Sequence, residues 1–222
     1  METPVKSFMF GQSSLGLPIL GYQFGNAGPR VLILGGVHGN EWEGIVAAQG
    51  LLKRFFESFT YSLDLTIVPV FNPDGAMHGQ RKNANGVDLN RNLPTNDWTA
   101  EVAKEDYYPG IEPNSEPENQ ALTRWVQEKK PQLVISLHSW NPLLNVNGGC
   151  KPEAEVIASL TRYKIEESIG YPTPGCLGTY CGLERDMPTL TYELQRDMKP
   201  KEILNQHVPA ILEALKVTEE RF

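Results

Sequence analysis

Four aliphatic residues in a row, Val31-Leu32-Ile33-Leu34, run into two glycines, and from Glu41 to Phe56 the apolar positions recur at helical spacing. A short buried strand, a tight turn and an amphipathic helix form the repeating unit of a sheet with helices packed on it. The turn itself, Gly35-Gly36-Val37-His38-Gly39-Asn40-Glu41, sets a His and a Glu three residues apart. Imidazole nitrogen and carboxylate oxygen are zinc donors, and a catalytic zinc site needs three protein ligands with one position left open. The same spacing also recurs by chance in soluble proteins, so the pair has meaning only with partners elsewhere in the chain.

Further strand-like runs rich in β-branched residues occur at 63–71, 132–138 and 189–194, beside the first at 31–37. Helical patterns over 41–56, 116–130, 152–169 and 200–216 alternate with them. Alternation of this kind predicts an α/β fold, a mixed, mostly parallel twisted sheet flanked by helices on both faces. At 222 residues the chain suits one large domain over 1–222 better than two. Ser115 and Glu118 predict a capping box at the start of the 116–130 helix, with Pro117 in its first turn. Pro209 predicts a kink or division of the last helix.

The charge balance of 20 basic against 27 acidic residues, net -7, disfavours nucleic acid and anionic membrane surfaces as partners. The first twenty residues carry no basic segment followed by an apolar core, and no run approaches the roughly 18 apolar residues of a membrane span. These features predict a cytoplasmic protein. Cys150, Cys176 and Cys181 are an odd set without a CxxC pair, which argues against a disulfide framework and for small apolar packing.

His138 closes the run VISLH and falls at the same strand end as His38 if the two strands are parallel neighbours, where ligands of open α/β sheets gather. Without such a neighbour it is an ordinary hydrogen-bonded histidine. His78 and His207 have no comparable setting and read as surface or loop histidines. Glu193 ends the run TLTYEL among apolar residues, where a carboxylate is costly without a partner or a task; general base catalysis is such a task. Between residues 72 and 114 lies a long stretch rich in Asn, Gly, Pro and Asp, of the kind that either serves a site or merely crosses the surface. Within it, Arg91 can bind a carboxylate through two hydrogen bonds, Asn90 adds a neutral donor, Arg81 can stabilise an oxyanion, and Asp88 can accept from a ligand imidazole. Each of these alone reads equally as a solvated loop residue.

The motifs HxxE at 38–41, NPDG at 72–75, the Arg81 segment, GVDLNRN at 86–92, SLHSW at 136–140 and TYEL at 191–194 stand in the order found in the zinc carboxypeptidases. The chain resembles that family over roughly residues 8 to 215. The resemblance implies one Zn²⁺ per chain held by His38, Glu41 and His138, with Asp88 orienting a ligand. It implies catalysis by Glu193 and Arg81, and a clamp of Asn90 and Arg91 on the terminal carboxylate of a small peptide. Tyr171 matches the mobile family tyrosine that closes over substrate, with Tyr180 as the alternative, and the peptide bond between Ser139 and Trp140 is expected to be cis. The strings GQSSLGLPI, NANGVDLNRN, SEPENQAL and GYPTPGCLGTYCG resemble the bacterial murein-peptide amidases within the family, which implies cleavage of the γ-D-glutamyl to diaminopimelate bond in the cytoplasm.

The chain departs from the digestive members at Asn40, where they carry an arginine, and from the murein enzymes over 139–150. Gly178 is expected to leave room at the base of a specificity pocket, with Glu184 or Asp186 near a substrate amine. Two competing readings are an amidohydrolase of N-acyl amino acids, whose metal motif is similar, and a peptide binder that retains the fold without activity.

Overall fold

The structure, a computed structural model, describes residues 5–102 and 104–222. The first four residues of the N-terminal stretch, and residue 103 in the long loop, lie outside the described residues. In chain order the elements are β1 (Val5–Gln12), β2 (Pro18–Phe24), β3 (Arg30–Gly35), α1 (Trp42–Glu57), β4 (Asp64–Val68), α2 (Pro73–His78), α3 (Pro117–Lys129), β5 (Leu133–Trp140), β6 (Leu143–Asn147), α4 (Lys151–Thr161), β7 (Lys164–Glu166), β8 (Thr189–Gln195), α5 (Pro200–Glu202) and α6 (Val208–Arg221). The strands form one eight-stranded sheet in the order β1-β2-β4-β3-β5-β8-β6-β7.

The four runs legible in the sequence are the four central strands, β4-β3-β5-β8, and all three of their pairings are parallel. Their continuous apolar character follows from burial on both faces. Val31, Ile33, Ile135 and Leu137 point into a core shared with α1, α4 and α6, while Leu32, Leu34 and Val134 point into a second core beneath α3. Leu51, Ala47 and Ala48 present the buried stripe of α1 to the first core, each fully covered. A fully buried leucine of this kind contributes roughly 1.5–3 kcal/mol of transfer free energy.

The remaining strands form the margins: β1 pairs with β2, β2 with β4, and β6 with β8, all antiparallel, while β7 closes the edge parallel to β6. Two features of the predicted helices differ, and the division expected at Pro209 is present. The 152–169 helix ends at Thr161, where Arg162 adopts a left-handed φ of 64° and the chain turns into β7. At α3 the capping box does not form: Glu116 is the N-cap residue, Ser115 Oγ donates to the Glu116 carboxylate at 2.7 Å, and Glu118 accepts from the Ser14 amide at 3.0 Å. Glu118 is fully buried, and its carboxylate ties down the loop after β1 instead of reaching back along its own helix. Pro209 divides the last helical run through a π-helical segment, Ile203–His207, which links α5 to α6 and absorbs the proline's missing donor.

The Ser139–Trp140 peptide is trans, contrary to expectation. Strand β5 runs through this bond in register with β8, Trp140 opposite Gln195, and the Trp140 carbonyl accepts from the Arg196 amide at 3.1 Å. His207, expected at the surface, is instead buried with a hydrogen bond to the Tyr192 hydroxyl, because the π-helical segment turns it into the first core. Cys150 and Cys181 are buried and all three cysteines are free. Among the described residues no helix is long and apolar enough to cross a membrane.

Candidate active site

Parallel pairing brings the C-terminal ends of β3, β5 and β8 to one edge of the sheet, with His138 directly opposite Glu193. Gly36 lets β3 turn there: its φ of 65° belongs to the left-handed region that favours glycine. The Phe71 and Asn72 amides fasten the Gly35 and Gly36 carbonyls to the end of β4, at 2.9 Å each. The chain then enters α1 within one turn, as the Glu41 amide donates to the His38 carbonyl and Gly44 to Glu41. The result fixes His38 and Glu41 on a short, tied segment facing β5.

His38 Nδ1 lies 2.9 Å from Glu41 Oε1, His138 Nδ1 lies 2.9 Å from Glu41 Oε2, and the two Nδ1 atoms are 3.1 Å apart. All three side chains are buried. The outward nitrogens are engaged elsewhere, His38 Nε2 with Asp88 Oδ1 at 2.9 Å and His138 Nε2 with Ser136 Oγ at 3.0 Å. Both Nδ1 atoms therefore face a carboxylate and each other, and with the lone pairs turned inward this is an arrangement that a cation favours. A tetrahedral ion with ligands at about 2.0–2.1 Å requires donors about 3.3 Å apart. The donor set thus fits zinc in type and in spacing. Burial penalises the Glu41 charge, yet the facing imidazoles of His38 and His138 outweigh it and hold the carboxyl well below the usual range.

Asp88 organises the neighbouring loop. Besides His38, it accepts from Arg81 Nε at 3.0 Å and from the Asn90 amide at 2.9 Å, capping the 3₁₀ turn Leu89–Arg91. Burial works against its charge, but His38 and Arg81 prevail and keep it ionised. Arg81 Nη1 also reaches Glu41 Oε1 at 3.3 Å. Asn90 Oδ1 accepts from the Leu177 amide at 2.9 Å, so its amide nitrogen is left for the cleft, and Arg91 Nη1 is held by the Asn90 carbonyl at 2.7 Å.

His38, Glu41, Arg81, Asn90, Arg91, Tyr171 and Glu193 all line one cleft of about 280 Å³. Glu193 differs from Glu41, the other carboxylate lining the cleft: its buried Oε2 has no hydrogen-bond partner among the described residues. Burial, aided by Glu41, pushes its carboxyl up to about 7 against the pull of His138 and Arg81. A carboxyl whose pKa lies near neutrality can both take and return a proton.

Of the two alternative tyrosines, Tyr171 lines the cleft, while Tyr180 is fully buried beneath α3 with the Arg185 guanidinium 3.7 Å from its ring centre. Gly178 does not line the cleft. It sits in the π-helical turn Gly178–Leu183, and the volume of a Cβ there is taken by the Asn147 carboxamide. Glu184 is occupied by the Asn96 amide at 2.7 Å and by Arg185 at 3.1 Å, and Asp186 is exposed.

Sequence reasoning gave no site role to six cleft residues: Lys104, Tyr107, Ser139, Trp140, Ile169 and Arg196. Tyr107 stacks on Tyr171 with ring centres 6.2 Å apart and lies 5.2 and 5.1 Å from the guanidinium carbons of Arg81 and Arg91. Loop 93–114 therefore contributes a wall of the cleft. Its composition carries no signal of this, whereas Trp140 and Arg196, two and three residues past His138 and Glu193, were within reach of the strand-end argument.

The sequence profile of the zinc carboxypeptidases matches residues 3–184. Murein peptide amidase A of Escherichia coli (strain K12) is 34% identical over 185 residues, which cover 78% of this chain and 74% of that protein. The same enzyme of Vibrio campbellii is 32% identical over 199 residues, covering 83% and 77%. A crystal structure of murein-tripeptide amidase from Escherichia coli O157 superposes with a TM-score of 0.78 at 29% identity, covering 96% of this chain and 93% of that one. Carboxypeptidase A from Helicoverpa armigera shares the fold, with a TM-score of 0.82 at 20% identity over 99% of this chain and 68% of that one.

Proposed function

Since this chain belongs to the zinc carboxypeptidase family of zinc-dependent hydrolases, we propose that it removes the C-terminal residue of small peptides and that its substrate is the γ-D-glutamyl-diaminopimelate amide of murein peptides. The proposal covers one catalytic unit over 1–222, one zinc per chain and action in the cytoplasm. The observation that carries it is the partnerless Glu193 carboxylate, facing the convergent donors of His38, Glu41 and His138 in a cleft that also holds Arg91 and Asn90.

In this reading Arg91 and the Asn90 amide bind the terminal carboxylate, setting the last amide bond over the metal ligands. Zinc, when held by His38, Glu41 and His138, supplies Lewis acidity that polarises the carbonyl and acidifies water. Glu193 takes the proton of the attacking water and delivers it to the leaving amine, acting as base and then as acid. Arg81 donates to the oxyanion, an interaction often worth about 3–4 kcal/mol. Asp88 keeps the His38 proton on Nε2, so that Nδ1 presents its lone pair.

The test compares hydrolysis of γ-D-glutamyl-diaminopimelate peptides, ordinary C-terminal dipeptides and N-acyl amino acids by zinc-loaded protein. Fastest turnover of the γ-glutamyl substrate is expected. Preferential cleavage of N-acyl amino acids, or zinc binding without turnover of any of the three, would overturn the reading.

A further inference from the structure

We propose that Arg196 binds a second substrate carboxylate, on the acyl side of the scissile amide, and so selects acyl groups that carry a free acid a few atoms from the cleaved bond; this rests on the reading above and narrows its substrate class. The charge of the cleft motivates it. In a chain of net charge -7, the cleft is lined by four cations, Arg81, Arg91, Lys104 and Arg196, against the two carboxylates Glu41 and Glu193. Arg81 is committed to Asp88 and Glu41, and one terminal carboxylate is satisfied by the fork of Arg91. Arg196 is surplus to a substrate with a single acid.

Position in the cleft gives Arg196 its role. Arg196 follows β8, three residues past Glu193, and lies beside Trp140 at the end of β5, whereas Arg91 is carried by the 3₁₀ turn Leu89–Arg91 that packs on the Leu177 amide through Asn90. In the proposed pose a substrate anchored at Arg91, with its amide over the donors, extends its acyl part toward Trp140 and Arg196. There Trp140 offers a half-exposed ring next to Arg196.

Arg196 is also held ready. Its amide donates to the Trp140 carbonyl at 3.1 Å, and Nη1 donates to Ser139 Oγ and O at 2.9 and 3.3 Å. Fully buried Glu43 fixes that arrangement, accepting from Ser139 Oγ at 2.5 Å and from the Asp197 amide at 2.6 Å. Among the described residues no carboxylate lies within 4.0 Å of the Arg196 guanidinium, and its Nε and Nη2 have no protein acceptor. A guanidinium pinned by one nitrogen, with two parallel N–H groups free, suits a carboxylate. A γ-linked glutamyl residue retains its α-carboxylate on the acyl side, while an α-linked peptide has an uncharged amide in the corresponding position.

The experiment measures kcat/KM for γ-D-glutamyl-diaminopimelate and for the same compound with the glutamyl α-carboxylate converted to carboxamide, with wild type, Arg196→Gln and Arg196→Lys. Wild type is expected to prefer the free acid by about 10- to 100-fold, the range of a hydrogen bond between charged groups. Arg196→Gln should abolish that preference, with kcat/KM for the two compounds within about twofold of each other, and Arg196→Lys should retain part of it. If Arg196 serves only as a counter-charge to Glu43 through Ser139, the variants lose activity on both compounds alike, which overturns the proposal. Equal cleavage of the two compounds by wild type overturns it while leaving the proposed function intact; failure to cleave either refutes both.

Discussion

His38 and His138 are as buried as His207, at 3% and 2% exposure against 0%, yet the two ends of the molecule treat the imidazole in opposite ways. At the sheet edge, burial and Arg81 disfavour the charged form of His38, but Glu41 and Asp88 overcome them and its pKa is raised. In the core beside α6, His207 bonds the Tyr192 hydroxyl, and its Nε2 has no hydrogen-bond partner among the described residues; burial pulls its pKa down to about 4. Burial therefore does not mark a site. Carboxylates brought into the same dry volume do, because they are costly there unless a cation joins them.

The sharpest way to break this distinction is to alter the carboxylate that has no partner. Glu193→Gln keeps the size of the side chain and leaves the His38, Glu41 and His138 donors in place. It should retain zinc, as measured by metal analysis, while kcat falls by about 10²- to 10⁴-fold. Retained activity would show that the catalytic proton passes elsewhere. Asp88→Asn tests the next layer. It removes the acceptor that holds the His38 proton on Nε2, and zinc affinity measured by chelator competition should drop about 10- to 100-fold. The matched change in the other environment, His207→Gln, should leave zinc affinity unchanged.

His207 has its own signature, in stability. In the unfolded chain its pKa is the ordinary 6.5, and in the folded chain it is lowered to about 4, so below 6.5 the unfolded state binds the extra proton. Its contribution to stability is complete above about pH 6.5 and is lost progressively as pH falls toward 4. Urea midpoints at pH 7 and pH 5 should therefore differ less in His207→Gln than in wild type. An identical difference in both proteins would mean that the imidazole is not held neutral.

The same contrast explains what was readable in the chain. The central strands β4, β3, β5 and β8 announce themselves because burial on both faces demands unbroken apolar runs, and His38, Glu41, His138 and Glu193 stood out as polar residues at the ends of those runs. The marginal strands did not: β1 is mostly exposed, and β7 is three residues long. Ser115 and Glu118 had capping-box spacing, but a contact with Ser14, 104 residues away, took Glu118. His207 misled because the π-helical segment, which no local periodicity encodes, rotates it inward. Tyr107 owes its place to a loop path set by long-range contacts, such as the Asp88 amide bonding the Tyr108 carbonyl.

Two tyrosines offer the mildest test of whether the wall of the cleft acts on substrate. Tyr107 faces both cleft arginines and stacks on Tyr171, whereas Tyr180 lies buried under Arg185 with its hydroxyl 3.4 Å from the Gln127 amide nitrogen. A ring over two guanidinium groups restrains them at a cost of little stability, since exposed cation–π contacts contribute about 0.5–1 kcal/mol each. Removing it in Tyr107→Ala frees Arg91 to sample positions unsuited to a terminal carboxylate, so KM should rise about two- to fivefold with kcat nearly constant. Tyr180→Phe loses one weak hydrogen bond inside the core, and it should lower the urea midpoint slightly without moving KM. If instead kcat falls in Tyr107→Ala while KM holds, the ring acts during the chemical step, and loop 93–114 belongs to the catalytic apparatus as well as to the binding wall.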